Sequence, residues 1–184
     1  QDAPMLDSGL MDENTSSEVL EMQNFQKLEE TIQEYLNENQ LSESVTVLEE
    51  EAGLLLRFQD NILFDSGSAD LKPESLEIMS YIAQLLNAED FEDKFISIEG
   101  HTDNVPMNSP RYPSNWELSV GRSSNVVRFL VENNNMDPKR ISASGYSEYH
   151  PVAPNDNAEN RAKNRRVDIL ILKTIHYKDS SKNQ

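Results

Sequence analysis

No cysteine occurs among the 184 residues, which removes a disulfide framework, a thiolate metal site and a cysteine nucleophile from consideration. The same absence leaves the compartment open, because many periplasmic and surface proteins also lack cysteine. Long apolar runs are missing as well. No stretch approaches the roughly 18 to 20 residues needed to span a bilayer, and the N-terminus has no basic region followed by an apolar one. Cations are scarce, at 16 Lys and Arg against 33 Asp and Glu, for a formal charge of -17 and a pI near 4.4. A field of that sign opposes approach to phosphate arrays, so no nucleic-acid partner is expected. His101, His150 and His176 are the only histidines and form no i, i+4 pair, which argues against zinc. The Gly-rich phosphate loops and the Gly-x-Ser-x-Gly elbow are absent. "NAEDFEDK" lacks the glycine and ligand spacing of a calcium loop and reads as a solvated acidic face. No metal and no cofactor is expected.

What is present is a regular alternation of elements. Residues 1–16 are acidic, contain Pro and Gly, and show no period, so they read as a flexible lead-in. From Ser17 to about Gln40, Phe25, Leu28, Ile32, Tyr35 and Leu36 recur at spacings of three and four, which predicts an amphipathic helix. "SVTVLEEEAGLLLRF" and "NILF" read as β segments joined through Glu51, Ala52 and Gly53. After the loop "DSGSADLKPES", a helix follows with Leu76, Met79, Ile82, Ala83 and Leu86 on one face. "KFISIEG" alternates as a strand and leads straight into His101. Ser114 and Glu117 form a capping box, with Ser114 expected to accept from the Glu117 backbone, so a helix is predicted from there to about Asn133. "RISASGY" reads as a strand, "NAENRAKN" as a short helix and "RRVDILIL" as a final strand. The order β-α-β-α-β-(α)-β implies an α/β two-layer sandwich, a mixed sheet with helices on one face. The chain divides into a lead-in over 1–16, a linker with the amphipathic helix over 17–50, a folded domain over 51–173 and a frayed tail over 174–184.

The least regular stretch is "EGHTDNVPMNSPRYPSNWELSVGR", residues 99–122, a long polar connection between a strand and a capped helix. His101 and Asp103 invite a hydrolase triad, yet no second group for acid–base work is identifiable beside them. Asp103 stands just past a strand end, and Arg122 shares a helix face with Leu118. A guanidinium holds a carboxylate through two parallel hydrogen bonds, and a carboxylate holds an ammonium. The two residues together would suit an amino-acid headgroup. Spacing alone equally allows them to pair with each other and pin the loop.

"FDSGSADLKPES", "IEGHTDNVP", "NWELSVGRSSNVVRFLVE", "RISASGYSEYHPVAPND" and "NRRVDILI" together resemble, in order, the peptidoglycan-binding domain shared by OmpA, Pal and MotB, over about Leu54 to Leu172. Within that family, "DNVPMNSPRYPSNWELS" is similar to the flagellar stator branch, MotB. The resemblance implies a non-enzymatic anchor that binds the diaminopimelate of the cell-wall stem peptide, with Asp103 on an amino group and Arg122 on a carboxylate. It implies that Thr102, Asn115 and Leu118 line the same pocket, that Asp65 and Arg165 border it, and that His101 serves the loop's architecture. It further implies an extracytoplasmic homodimer. A transmembrane helix before Gln1 would join it to a MotA-type stator subunit, with residues 1–50 as a regulatory linker. An OmpA-like or Pal-like tether between outer membrane and peptidoglycan is the alternative within the same fold.

Overall fold

The computed structural model describes residues 13–174, so the expectations for residues 1–12 and for the tail after Thr174 lie outside the described residues. The elements are helix α1 (Glu13–Glu38), strands β1 (Val45–Glu49) and β2 (Gly53–Gln59), helices α2 (Asp60–Leu63) and α3 (Ser75–Leu86), strand β3 (Ile96–His101), helix α4 (Asn115–Asn134), strand β4 (Ile141–Gly145), helix α5 (Ala158–Asn164) and strand β5 (Arg166–Leu172). A 3-10 turn, Pro138–Arg140, leads into β4.

The strands form one five-stranded sheet in the order β1-β2-β5-β3-β4. β3 and β4 run parallel and the other pairs antiparallel, so the sheet is mixed as expected. Register decides which face is buried, because successive side chains alternate across a strand. Leu54, Leu56 and Phe58 of β2 lie opposite Ile171, Ile169 and Val167 of β5, which lie opposite Ile96, Ile98 and Gly100 of β3. These apolar side chains share one core with Leu28, Ile32 and Leu36 of α1, Met79, Ile82 and Leu86 of α3, and Val126 and Leu130 of α4. Helices α1, α3 and α4 therefore cover one face, and the other carries Arg57, Asp168, Arg166, Glu99 and His101.

Three expectations change. "NILF" is not a strand: Asp60–Leu63 is a helical turn, with Leu63 buried. Its four residues are too short for period to separate helix from strand. On α3 the buried stripe uses Ile78, while Leu76 is half-exposed. The α4 cap differs in detail: Ser114 Oγ accepts from Trp116 N at 3.1 Å, and its hydroxyl donates to the Glu117 carboxylate. The hydroxyl's hydrogen bond, with further help from backbone N–H groups at the cap, holds the Glu117 carboxyl below the usual range.

Residues 17–50 are integrated with the rest of the domain. β1 pairs along its full length with β2, Phe25 meets Phe91 edge to face and Tyr35 stacks on Tyr81 of α3. Glu21 accepts from Thr174 N at 2.7 Å and lies 3.3 Å from Lys94 Nζ. Further along α1, partial burial and a hydrogen bond with Glu49 push the Glu29 carboxyl upward. A carboxyl raised in the folded state contributes stability that is complete below its unfolded value and is lost as pH rises through the folded value. Glu29→Gln is therefore expected to stabilise the protein slightly near neutral pH, by about 0.3 kcal/mol after solvent screening. The gap to wild type should close on acidification, as read from urea midpoints across pH.

Candidate functional site

The end of β3 and the start of α4 meet where the irregular stretch joins them. Thr102 N donates to Ser147 O at 2.9 Å, fixing the chain just past β3 to the loop after β4. Asn115, the first residue of α4, is buried and donates through Nδ2 to Val105 O at 3.0 Å and Asp103 O at 3.4 Å. Thr102 Oγ1 also donates to Asp103 O, at 2.8 Å. The loop 102–114 is thus clamped to the helix N-terminus, and Tyr112 closes its far side by packing on Ala69 and Leu118. The result is a cleft of about 420 Å³ lined by Thr102, Asp103, Asn115, Leu118, Arg122 and Arg165 from the expected set.

Asp103 and Arg122 do not pair with each other. Asp103 Oδ2 accepts from Arg165 Nη1 at 2.7 Å, and its Oδ1 accepts from Val105 N at 2.9 Å. Arg122 donates from Nη1 to Asp60 Oδ2 at 3.1 Å, from Nε to Ser68 O at 2.8 Å and from Nη2 to Asp65 O at 3.3 Å. Its guanidinium also lies 4.8 Å from the Phe64 ring centroid. Burial pushes the Arg122 guanidinium below its ordinary value, and the neighbouring Asp60 carboxylate opposes that shift. With so high a starting point the group stays charged.

Capacity remains on both groups. A guanidinium has five N–H donors and an ionised carboxylate about four acceptor sites. Arg122 spends three donors on Asp60, Ser68 and Asp65, and Asp103 spends two sites on Arg165 and Val105. Each is held in place by its own counter-ion and keeps hydrogen-bonding capacity for a ligand. Such an arrangement is suited to a zwitterion.

Of the expected residues, Asp65 is the one displaced. Its side chain is exposed and absent from the lining, and it serves Arg122 through its carbonyl oxygen. The residue that sequence reasoning missed is Asp60, which faces Arg122 at 3.1 Å and Arg165 at 3.6 Å. Only a helical reading of "DNIL" would have singled it out, as an acid in a first turn. His101 points away from the cleft, stacked on Tyr146 with ring centroids 5.1 Å apart. It is 3% exposed, and neither ring nitrogen has a hydrogen-bond partner. Its ring, Glu99 and Asp168 offer three ligand atoms within 4.8 Å of one another. A cation there would face two guanidinium groups, because Arg57 holds both Asp168 oxygens at 2.9 and 3.0 Å and Arg166 donates to Oδ2 at 3.1 Å. That cluster is an ion-pair network rather than a metal centre.

Known proteins share this architecture and sequence. Motility protein B of Bacillus subtilis strain 168 is 38% identical over 152 residues, covering 83% of this chain and 58% of that protein. The chain thus spans little more than half of that relative. Among solved structures, the cell wall anchor of the T6SS from Pseudomonas aeruginosa is 33% identical, with a TM-score of 0.67 over 76% of this chain and 96% of that one. The periplasmic domain of Helicobacter pylori MotB, residues 78-256, is 26% identical, with a TM-score of 0.65 over 76% of this chain and 88% of that one. The OmpA family matches across residues 63–165, from α2 to the residue before β5. That match covers more than half of the 184 residues: the chain belongs to the OmpA family.

Proposed function

We propose that the chain is a non-catalytic cell-wall anchor that grips the diaminopimelate of a peptidoglycan stem peptide and thereby holds a flagellar motor stator stationary. The observation that carries this reading is the paired arrangement in the cleft. Asp103 and Arg122 each have a separate counter-ion and spare capacity, which fits the amino and carboxylate groups of one headgroup. Thr102, Asn115 and Leu118 shape the cleft, Arg165 orients Asp103, and Asp60 orients Arg122. No nucleophile–base pair stands in the cleft, and both lining carboxylates are engaged by arginines, so the reading is of binding rather than hydrolysis. Similarity to Motility protein B supports the stator role, and similarity to a wall anchor of another machine supports anchoring. In this reading the domain works outside the cytoplasm as a homodimer. It joins a MotA-type subunit through a membrane segment N-terminal to Gln1, and residues 1–50 form the link that regulates the stator.

The test is sedimentation with purified peptidoglycan of the diaminopimelate type. Wild type should co-sediment and release no soluble muropeptides. Asp103→Asn keeps the shape but removes the charge that meets an ammonium, at a cost of about 2 kcal/mol in binding. Because Arg165 is more than a third exposed and can be rehydrated, thermal unfolding should change little. Equal binding by wild type and the variant would sink the headgroup reading.

A further inference from the structure

Trp116 is the single tryptophan of the chain, and it is not in the core. It is 49% exposed and stacks at 5.4 Å and 29° on Tyr149, itself 63% exposed. Each ring spends one face on the other and leaves much of the rest to water. Val120, one turn along α4 from Trp116, is also exposed, at 46%. Two large rings from distant parts of the chain, brought together in solvent, form a surface on which a further ring can stack.

This surface is built from the same supports as the cleft. Trp116 follows Asn115, whose amide holds the carbonyls of Asp103 and Val105. Tyr149 belongs to the loop whose Ser147 O receives Thr102 N and whose Ser147 N donates to Ser119 Oγ at 3.1 Å. The rings therefore share backbone supports with Thr102 and Asn115, two residues that line the cleft. A flat apolar pair suits a sugar ring, whose C–H bonds present a weakly positive face to the negative face of an aromatic ring while its hydroxyls remain in water. A nucleobase would stack as well, but its phosphates would meet the field of a chain with formal charge -17. A neutral sugar meets no such barrier.

We propose that Trp116 and Tyr149 form a stacking platform for a pyranose ring of the glycan strand, seating the sugar beside the peptide headgroup held in the cleft. The inference rests on the proposed function for the source of the sugar. The platform itself is read out separately, because the lone tryptophan reports on its own occupancy.

The experiment compares a disaccharide–peptide fragment of peptidoglycan, the same stem peptide without sugars, and chitotetraose, by calorimetry and by tryptophan emission. Wild type should bind the disaccharide–peptide about tenfold more tightly than the bare peptide, with a shift in emission. Trp116→Ala and Tyr149→Ala should erase that tenfold advantage while leaving bare-peptide affinity and thermal unfolding unchanged. Chitotetraose binding with an emission shift, in the absence of peptide binding, would keep the platform and remove the headgroup reading. Equal affinities for the two peptide ligands in wild type would overturn the platform and keep the headgroup reading. No binding of any ligand would overturn both. Concentration-dependent self-association that disappears in Trp116→Ala, without a sugar effect, would assign the rings to a second copy of the chain and overturn the proposal.

Discussion

Arg122→Ala is expected to lose ligand binding and about 3 kcal/mol of folding stability together, the low end of what removing one partner of a buried ion pair costs. Arg122 is 3% exposed and is the partner of Asp60 Oδ2, Ser68 O and Asp65 O. Alanine leaves a carboxylate whose remaining guanidinium neighbour, Arg165, stands 3.6 Å away. That neighbour softens the loss without replacing the geometry. The two effects separate in a double variant. Arg122→Met with Asp60→Asn removes the orphaned charge and fills the space, so it should recover much of the stability while binding stays lost. Urea unfolding gives the first quantity and sedimentation with peptidoglycan the second. A single variant that unfolds at the wild-type midpoint would show that Arg122 carries none of the packing assigned to it.

The second large effect is expected at Gly100. A Cβ built there would lie 2.1 Å from the carbonyl oxygen of Ser119, on the α4 backbone. Gly145, its partner in the parallel β3–β4 register, is equally tight, with a Cβ 2.5 Å from Val120 N. Helix α4 lies directly on the strand backbones here, and a backbone atom cannot rotate aside as a side chain would. Gly100→Ala must push the helix outward, at a cost of about 3 kcal/mol or more. The same displacement moves Asn115, Leu118 and Arg122 relative to Thr102 and Asp103, so binding should fall even where the variant still folds. A protein with wild-type melting temperature and affinity would contradict the close approach.

Most strands and the two long helices of the domain were legible in the sequence because their signals are local, whereas most of the residues expected at the cleft came from the family resemblance. Alternation placed β3, and the Ser-x-x-Glu box placed the start of α4 within one residue. The pairs that hold the cleft in shape were not legible, since Arg122 and Asp60 are 62 residues apart in sequence, as are Arg165 and Asp103. No periodicity links such positions. Asp60 was further hidden because the short stretch Asn61 to Phe64 read as strand. The resemblance put Asp65 at the border of the pocket, but it could not tell a side chain from a carbonyl oxygen. The resemblance implied a linker for residues 17–50, whereas the apolar stripe of Phe25, Leu28, Ile32 and Leu36 read as an amphipathic helix with a face to bury, and that face lies in the core.

The docking of α1 also sets how the domain would yield to a pull. Its attachments lie in a row along the chain: Glu21 with Lys94 and Thr174, then Phe25 on Phe91, then Tyr35 on Tyr81, and last the β1–β2 pairing. Tension applied at the N-terminal end of α1 loads these one after another, like the teeth of a zip, instead of all at once. The helix would therefore peel contact by contact, and the load would come to β1 before it reached the strands and the cleft behind it.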